Sequence, residues 1–443
     1  MALFGTDGVR GIANRDLTAE LALDLAVAAA HVLGEVGAIS KNRPKAIVGQ
    51  DSRASGEFLE AAIVAGLASA GVDVYKVGVL PTPAIAHLVA TSGADLGVMI
   101  SASHNPMPDN GIKFFAKGGG KLDDALEAAI EARLNEPWDR PTGKGVGRVI
   151  VDESAAERYI FHLLSSLKVN LSGLKLVVDC ANGAASEVAP EVYARAGAEV
   201  IAISNQPNGL NINDNCGSTH LENLISEVKK HKADLGIAHD GDADRCLAID
   251  ASGELIDGDF ILAILAKEMK VPTVVGTVMS NLGFIKAMSD NGISFEATSV
   301  GDRYVLEKML ASGLKLGGEQ SGHIILRDFA NTGDGILTAL QLMSVMANQK
   351  KSLAQLAEIM ERFPQVLLNI EGVDKSKLAT SKALASAISE FEGELGTSGR
   401  ILLRASGTEP LVRVMVEAGT LSQAEAIAEK LGALVKSELS KIS

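Results

Sequence analysis

Apolar positions along this chain follow two rhythms, one helical and one strand-like, which take turns for most of its length. An Ala/Leu-rich run behind Thr18 predicts a helix over residues 17–36, with Thr18 as its N-cap. Short apolar runs predict strands at 45–49, 72–77 and 96–100, with a second helix over 57–71. The pattern restarts with strands at 175–179, 199–203 and 235–238 and helices at 186–196 and 220–231. It restarts again with helices at 260–269 and 282–290 and strands at 273–279 and 294–298. Strands alternating with helices predict mostly parallel sheets covered on both faces.

The last stretch has a different rhythm. Strands at 365–372, 400–404 and 411–417 can pair through short connections, and helices at 381–391 and 423–439 would cover them. The expected fold class is therefore α/β: three successive mixed α/β sandwich-like units plus a smaller C-terminal α+β domain. The boundaries fall at 1–155, 156–255, 256–364 and 365–443, with a linker near Arg362-Phe363-Pro364.

Composition adjusts this picture only slightly. Of 443 residues, 47% are hydrophobic and 22% charged, the ordinary globular range. The 45 glycines suit many tight strand–helix turns. The net charge of −14 argues against nucleic acid or an anionic membrane as partner. It leaves room for a small polyanionic substrate, because Arg10, Arg53, Lys113, Arg245, Arg303, Arg404 and Arg413 lie near the motifs described next. The three cysteines, Cys180, Cys216 and Cys246, are too few and too widely spaced for a disulfide framework or a zinc site, which points to a reducing cytoplasm. Neither a signal peptide nor a membrane-spanning apolar run is expected.

Four segments carry candidate chemistry. Ser101-Ala102-Ser103-His104-Asn105-Pro106 follows a buried strand, which places Ser103 at the carboxyl end where open α/β sheets bind ligands. Alone, it also reads as a turn with a helix cap. Asp240-Gly241-Asp242-Ala243-Asp244-Arg245 sets carboxylates at alternate positions after another strand, a pattern suited to a hard cation such as Mg²⁺. An EF-hand fails here, because Arg245 and Ala251 stand where it needs Gly and Glu. Gly317-Gly318-Glu319-Gln320-Ser321-Gly322-His323 could read sugar hydroxyls, with His323 as acid or base; a Gly-rich turn between strands is the equal alternative. Arg404-Ala405-Ser406-Gly407-Thr408-Glu409-Pro410, with Arg413 beyond, offers N–H groups, hydroxyls and guanidinium donors for phosphate, or a plain hairpin turn. A fifth segment, Phe4–Gly11, is too Gly-rich for a helix or strand interior and reads as a loop from which Arg10 could reach a phosphate.

Together these motifs resemble the α-D-phosphohexomutase superfamily over essentially the full chain. The resemblance implies four domains around a central cleft, each giving one loop. It implies Ser103 as the phosphorylated catalytic residue and as a contact of the metal. It implies one Mg²⁺ per chain on Asp240, Asp242 and Asp244. It assigns substrate binding to Arg245, Glu319, Ser321, His323, Arg404, Ser406, Gly407, Thr408 and Arg413. Lys113 and Arg10 match a family lysine and arginine near the transferring phosphate, and His104, Lys113 and His323 are the candidate general bases. Ala405 stands where many relatives carry Pro.

Four segments, Phe4–Gly11, 209–220, 277–283 and 318–323, are most similar to the bacterial phosphoglucosamine mutases, and Gln320 stands where phosphomannomutases tend to have Met. The activity this implies is interconversion of glucosamine 6-phosphate and glucosamine 1-phosphate through a phosphoserine and a 1,6-bisphosphate, feeding UDP-N-acetylglucosamine and the cell wall. Glucosamine or glucose 1,6-bisphosphate would be the primer, and a hexosamine phosphate, a homodimer mate and an activating kinase the partners. The alternatives are a phosphomannomutase/phosphoglucomutase, a Mg²⁺-dependent sugar phosphatase, and a sugar-phosphate-binding protein without turnover.

Overall fold

The computed structural model describes residues 3–5, 7–39, 43–406 and 411–440. They form four sheets in two compact units, one made of residues 1–279 and 293–359, the other of 280–292 and 360–443.

The first sheet takes strands β1 (Phe4–Gly5), β2 (Gly8–Ile12), β3 (Lys45–Gln50), β4 (Asp73–Val79), β5 (Leu96–Ile100), β6 (Asp109–Ala116) and β7 (Val149–Val151), in the order β1-β2-β6-β5-β3-β4-β7. Its helices are α1 (Ala19–Glu35), α2 (Ser55–Ser69), α3 (Thr82–Thr91) and α4 (Asp124–Ala132). Helix α1 starts where the sequence places it, because Thr18 Oγ1 accepts from Leu21 N and relieves an orphan donor of the first turn. Leu25, Leu33, Leu59, Ile63, Val48 and Val98 are fully or nearly fully buried in the core between α1, α2 and the sheet.

Two expectations fail in this sheet. It is not mostly parallel: three pairings are parallel and three antiparallel. The segment Phe4–Gly11 is not a loop but supplies β1 and most of β2. Glycine is what lets it pair closely. Gly8 has φ +78°, and a Cβ there would lie 2.3 Å from the Ile112 carbonyl oxygen of β6. Periodicity does not show such a strand, because its pairing partner lies about a hundred residues downstream.

The second sheet runs β12-β11-β10-β8-β9, from β8 (Lys175–Asp179), β9 (Glu199–Ile203), β10 (Leu235–Ala238), β11 (Leu247–Asp250) and β12 (Leu255–Ile256). It carries α5 (Ala155–Ser165), α6 (Val188–Arg195) and α7 (Glu222–His231). The third sheet runs β14-β13-β15-β16, from β13 (Thr273–Thr277), β14 (Ser294–Thr298), β15 (Leu316–Gly318) and β16 (Ile324–Leu326). Helices α8 (Gly258–Met269), α9 (Leu282–Asp290), α10 (Asp302–Ser312), α11 (Gly335–Gln349) and α12 (Leu353–Ala357) follow in this part of the chain. Of these, α9 groups with the C-terminal unit.

That second unit is an antiparallel sheet, β17-β19-β18, from β17 (Gln365–Glu371), β18 (Arg400–Ala405) and β19 (Leu411–Glu417). Helices α13 (Lys382–Leu395) and α14 (Leu421–Glu438) pack on it over Val412, Val414, Val416, Ile427 and Leu431. The buried Glu417 carboxylate accepts from Asn281 Nδ2 and Leu282 N at 3.1 Å and from Arg400 Nε at 2.6 Å, which ties the start of α9 to this sheet.

One feature of the larger unit is sensitive to pH. His87 of α3 stacks on His162 of α5 with ring centroids 4.0 Å apart. Burial, then His162 and Arg158, push the His87 pKa down to about 4, and burial also lowers that of His162. The unfolded chain takes up these protons first, near the ordinary histidine value of about 6.5. Their contribution to stability is therefore complete above that pH and lost as pH falls toward 4. Urea midpoints should fall between about pH 7 and about pH 4.5, and fall less steeply in His87→Gln. An equal slope in the variant would exclude this pair as the cause.

Candidate functional site

Parallel strands β3 and β5 lie side by side, so the loops leaving their carboxyl ends meet. The loop after β5 carries Ser103, which is 1% exposed and adopts φ +53°. A left-handed serine is uncommon, and such strain persists only where the surroundings over-determine it. Here they do. Ser103 N donates to Ser101 Oγ at 2.9 Å, and Ser101 Oγ donates to Asp51 Oδ2 at 2.6 Å. Asp51 also holds Arg53, whose buried guanidinium donates to the carbonyls of Ser103, Asn105 and Pro106 at 3.0, 2.8 and 2.7 Å.

The loop after β10 brings the second motif to the same place. Asp240, Asp242 and Asp244 are all buried, and each offers an oxygen within 4.8 Å of the other two. Ser103 Oγ donates to Asp240 Oδ2 at 2.6 Å. At an effective dielectric of about 20, two like charges about 5 Å apart repel by roughly 3 kcal/mol. Burial, then Asp242 and Asp240, push the Asp244 carboxyl up to about 8. Asp242 goes the other way: burial would raise it, but the Lys113 ammonium holds it below the ordinary range. Asp242 Oδ1 and Asp244 Oδ1 are shielded from solvent without a hydrogen-bond partner. Three converging carboxylates, with oxygens unsatisfied in this way, fit a hard divalent cation.

A chain of alternating charges leads away from this loop. Lys113 Nζ lies 2.8 Å from Asp242 Oδ2, 2.9 Å from Asp7 Oδ2 and 3.9 Å from Asp244 Oδ2. Asp7 also pairs with Arg10 and Lys121, and Lys121 pairs with Asp302. Asp302 Oδ2 in turn is 3.3 Å from His323 Nε2. Burial works against the charge on Lys113, but Asp242, Asp7 and Asp244 outweigh it and raise its pKa well above the usual lysine value. Lys113 is therefore held as a cation among these carboxylates. His104 is the opposite. Burial, then Arg245 and Arg10, lower it to about 4, so it is neutral with Nδ1 3.2 Å from Ser103 Oγ.

The third motif joins the second directly. Glu319 and His323 sit on the turn between β15 and β16, and Arg245 and His323 form a β-bridge. Cys246 N donates to Gly322 O at 3.0 Å. The segment is a Gly-rich turn between strands, and it is docked on the carboxylate loop. Glu319 Oε1 accepts from Gly301 N at 3.0 Å, while Ser321 is exposed. Arg245 lies 3.9 Å from both Asp240 and Asp244.

The fourth motif lies in the second unit. Arg404 and Arg413 are directly opposed on β18 and β19. Burial, then Arg413, lower the Arg404 pKa, as expected for like charges facing each other across a sheet. Ser406 is buried, and its carbonyl accepts from Lys375 Nζ at 2.8 Å. Gly407 and Thr408 lie outside the described residues.

Several residues that build the site do not stand out in the sequence. Thr82, Lys121 and Asp302 lie in no recognisable pattern, although Thr82 Oγ1 donates to Asp242 Oδ2 at 2.6 Å, while Asp7, Ser101 and Asn213 lie in segments that stand out without giving these residues a role. Asp51-Ser52-Arg53 had a positional signal. It sits directly after β3, at the same sheet edge as Ser103.

Comparison with known proteins agrees with this geometry. Four domain models described as phosphoglucomutase/phosphomannomutase match in order: α/β/α domain I at residues 1–139, domain II at 157–253, domain III at 257–363 and the C-terminal domain at 367–433. A phosphoglucosamine mutase of Streptomyces griseus is 62% identical, covering 99% of each chain. That of Thermobifida fusca is 59% identical over 99% of each. Among solved structures, a family protein of Burkholderia thailandensis shares the fold with a TM-score of 0.81 at 24% identity, covering 99% of this chain and 97% of its own. The Aspergillus fumigatus N-acetylphosphoglucosamine mutase, solved with GlcNAc-6P and magnesium, gives 0.74 at 17% identity, covering 99% and 96%. The chain belongs to the phosphoglucomutase/phosphomannomutase family, among its phosphoglucosamine mutases.

Proposed function

We propose that this chain is an isomerase that interconverts glucosamine 6-phosphate and glucosamine 1-phosphate, with Ser103 carrying the phosphoryl group. The observation that carries this reading is the placement of Ser103 Oγ, 2.6 Å from Asp240 in a buried three-carboxylate loop with Lys113 as its fixed cation. The identity to phosphoglucosamine mutases supports the choice of sugar.

Phosphoserine brings close to two negative charges, which Lys113, Arg245 and Arg10 would offset. Asp240, Asp242 and Asp244, with phospho-Ser103, would hold one Mg²⁺, which supplies Lewis-acid polarisation of a phosphoryl oxygen. The 1-hydroxyl of glucosamine 6-phosphate attacks the phosphorus, the bond to Ser103 Oγ breaks, and the hydroxyl proton ends on Ser103 Oγ, with His104, Lys113 and His323 as the candidate carriers and His104 Nδ1 3.2 Å from that oxygen. The 1,6-bisphosphate turns around, and Ser103 takes back the 6-phosphoryl group. Glu319, Ser321 and His323 are assigned to the sugar hydroxyls. Arg404, Ser406, Gly407, Thr408 and Arg413 are assigned to the phosphate not being transferred, and the opposed Arg404–Arg413 pair suits an anion.

The reading includes domains at 1–155, 156–255, 256–364 and 365–443. It includes priming by glucosamine or glucose 1,6-bisphosphate or by a kinase, a homodimer, a reducing cytoplasm that matches three free buried cysteines, and a product destined for cell-wall precursors. The same geometry serves a phosphomannomutase/phosphoglucomutase, which is the second reading.

With Mg²⁺ and bisphosphate primer, turnover should be faster on glucosamine 1-phosphate than on mannose or glucose 1-phosphate. Intact mass should show one phosphate, lost in Ser103→Ala along with nearly all activity. Preference for mannose 1-phosphate would favour the second reading, release of inorganic phosphate a phosphatase, and a fully active Ser103→Ala neither mutase. Binding to the folded state alone also predicts that Mg²⁺ at about a hundred times its Kd adds about 2.7 kcal/mol of stability. A chelator should lower the unfolding temperature of the wild type and leave that of Asp242→Asn unchanged. Equal shifts in both would place the ion elsewhere.

A further inference from the structure

The segment Gly209-Leu210-Asn211-Ile212-Asn213 takes no part in the chemistry above, yet it reaches from the second sheet to the Ser103 loop. Ala54 N donates to Gly209 O at 2.9 Å, and Asn213 N donates to Ala181 O at 2.9 Å. The Asn213 side chain then points inward with the residue only 9% exposed. Its Nδ2 donates to Ser103 O at 2.9 Å and to Asn105 O at 3.0 Å. Arg53 Nη2 donates to the same two carbonyls, at 3.0 and 2.8 Å. One neutral donor and one cation, about 160 residues apart in the chain, clamp the same pair of oxygens from two sides.

The third wall of this clamp is the carboxylate loop itself. A Cβ on Gly241 would meet Ser103 O at 2.5 Å and Asn213 Nδ2 at 3.0 Å. The Ser103 carbonyl is thus enclosed by Arg53, Asn213 and the backbone between Asp240 and Asp242. Ser103 is left-handed, and the bonds to its carbonyl and its N–H together hold the Cα from which Oγ reaches Asp240. Arg53 and Ser101 come from the same sheet as Ser103, whereas Asn213 brings a side-chain bond to the Ser103 backbone from the sheet whose Asp240 meets Ser103 Oγ.

We infer that Asn213 is a positioning residue for phosphoryl transfer, its carboxamide holding the strained Ser103 backbone in register with the Asp240–Asp244 loop. This rests on the reading of Ser103 as the phosphoryl carrier. Two hydrogens on one nitrogen serve two carbonyls, which a carboxylate of the same shape cannot do. Asn213 is itself left-handed, at φ +56°, a conformation that Asp and Gly tolerate. Asn213→Asp therefore removes the donors at constant shape. Asn213→Gly removes them without adding charge.

Misplacing reacting groups by about 1 Å costs on the order of a hundredfold in rate. Steady-state turnover of glucosamine 1-phosphate, per phosphorylated Ser103, should show kcat down by about thirty- to a hundredfold in both variants, with KM within about twofold of wild type. The exposed Leu210→Ala in the same loop should keep wild-type kcat. Unchanged kcat in either Asn213 variant, or a raised KM at unchanged kcat, overturns the inference. Failure of both to fold also overturns it, since the residue is then structural. Ser103→Ala, run alongside, separates the two claims. Its full activity would sink the phosphoserine reading, whereas an inactive Ser103→Ala beside wild-type-like Asn213 variants sinks this inference alone.

Discussion

Three carboxylates packed into five residues and buried together repel one another, and most of what surrounds them answers that repulsion. Lys113 meets Asp242 from a strand of another sheet and is itself shared with Asp7. Asp7 gathers Arg10 and Lys121, and Lys121 leads to Asp302 beside His323. Lys113 and Lys121 each lie between anions, so charge alternates link by link from the carboxylate loop to the turn before β16. What this network leaves over are oxygens of Asp242 and Asp244 without a hydrogen-bond partner, in the loop beside the serine. A divalent cation and a phosphoryl group are the partners that such a remainder calls for.

Backbone strain marks the same spot. Ser103 and Ala243 both adopt left-handed conformations, at φ +53° and +55°, one in each of the two loops. Neither has a glycine's freedom, so the surrounding bonds must hold them. At Ser103 the Asp51–Arg53 brace and Asn213 do this. A rigid donor loop suits a reaction that needs placement and charge neutralisation more than covalent activation.

How much of this was legible in the sequence depends on how local its cause is. Strands Leu96–Ile100, Lys175–Asp179, Glu199–Ile203, Leu235–Ala238 and Leu411–Glu417 and helix Leu282–Asp290 fall where their apolar runs predict them, because each is a self-contained pattern bounded by turns. The elements that were missed draw their stability from distant partners. Strand β2 pairs with β6 through glycine contacts, and α11 is buried nearly all round, so it shows no amphipathic period. The same holds at the site. Ser103, the three aspartates, Glu319 and Arg404 stand in compact motifs. Thr82, Lys121 and Asp302 acquire meaning only when the fold brings them to those motifs, and nothing in their neighbours along the chain reports it.

The central claim is that the phosphoryl group travels on Ser103, and a single turnover reads it most directly. Protein carrying radiolabelled phosphate on Ser103 is mixed with Mg²⁺ and unlabelled glucosamine 6-phosphate, then quenched and separated. The account predicts that label leaves the protein within one turnover and passes through the sugar 1,6-bisphosphate into glucosamine 1-phosphate, with none as inorganic phosphate. Label that stays on the protein while product accumulates, or that appears as inorganic phosphate, would contradict it.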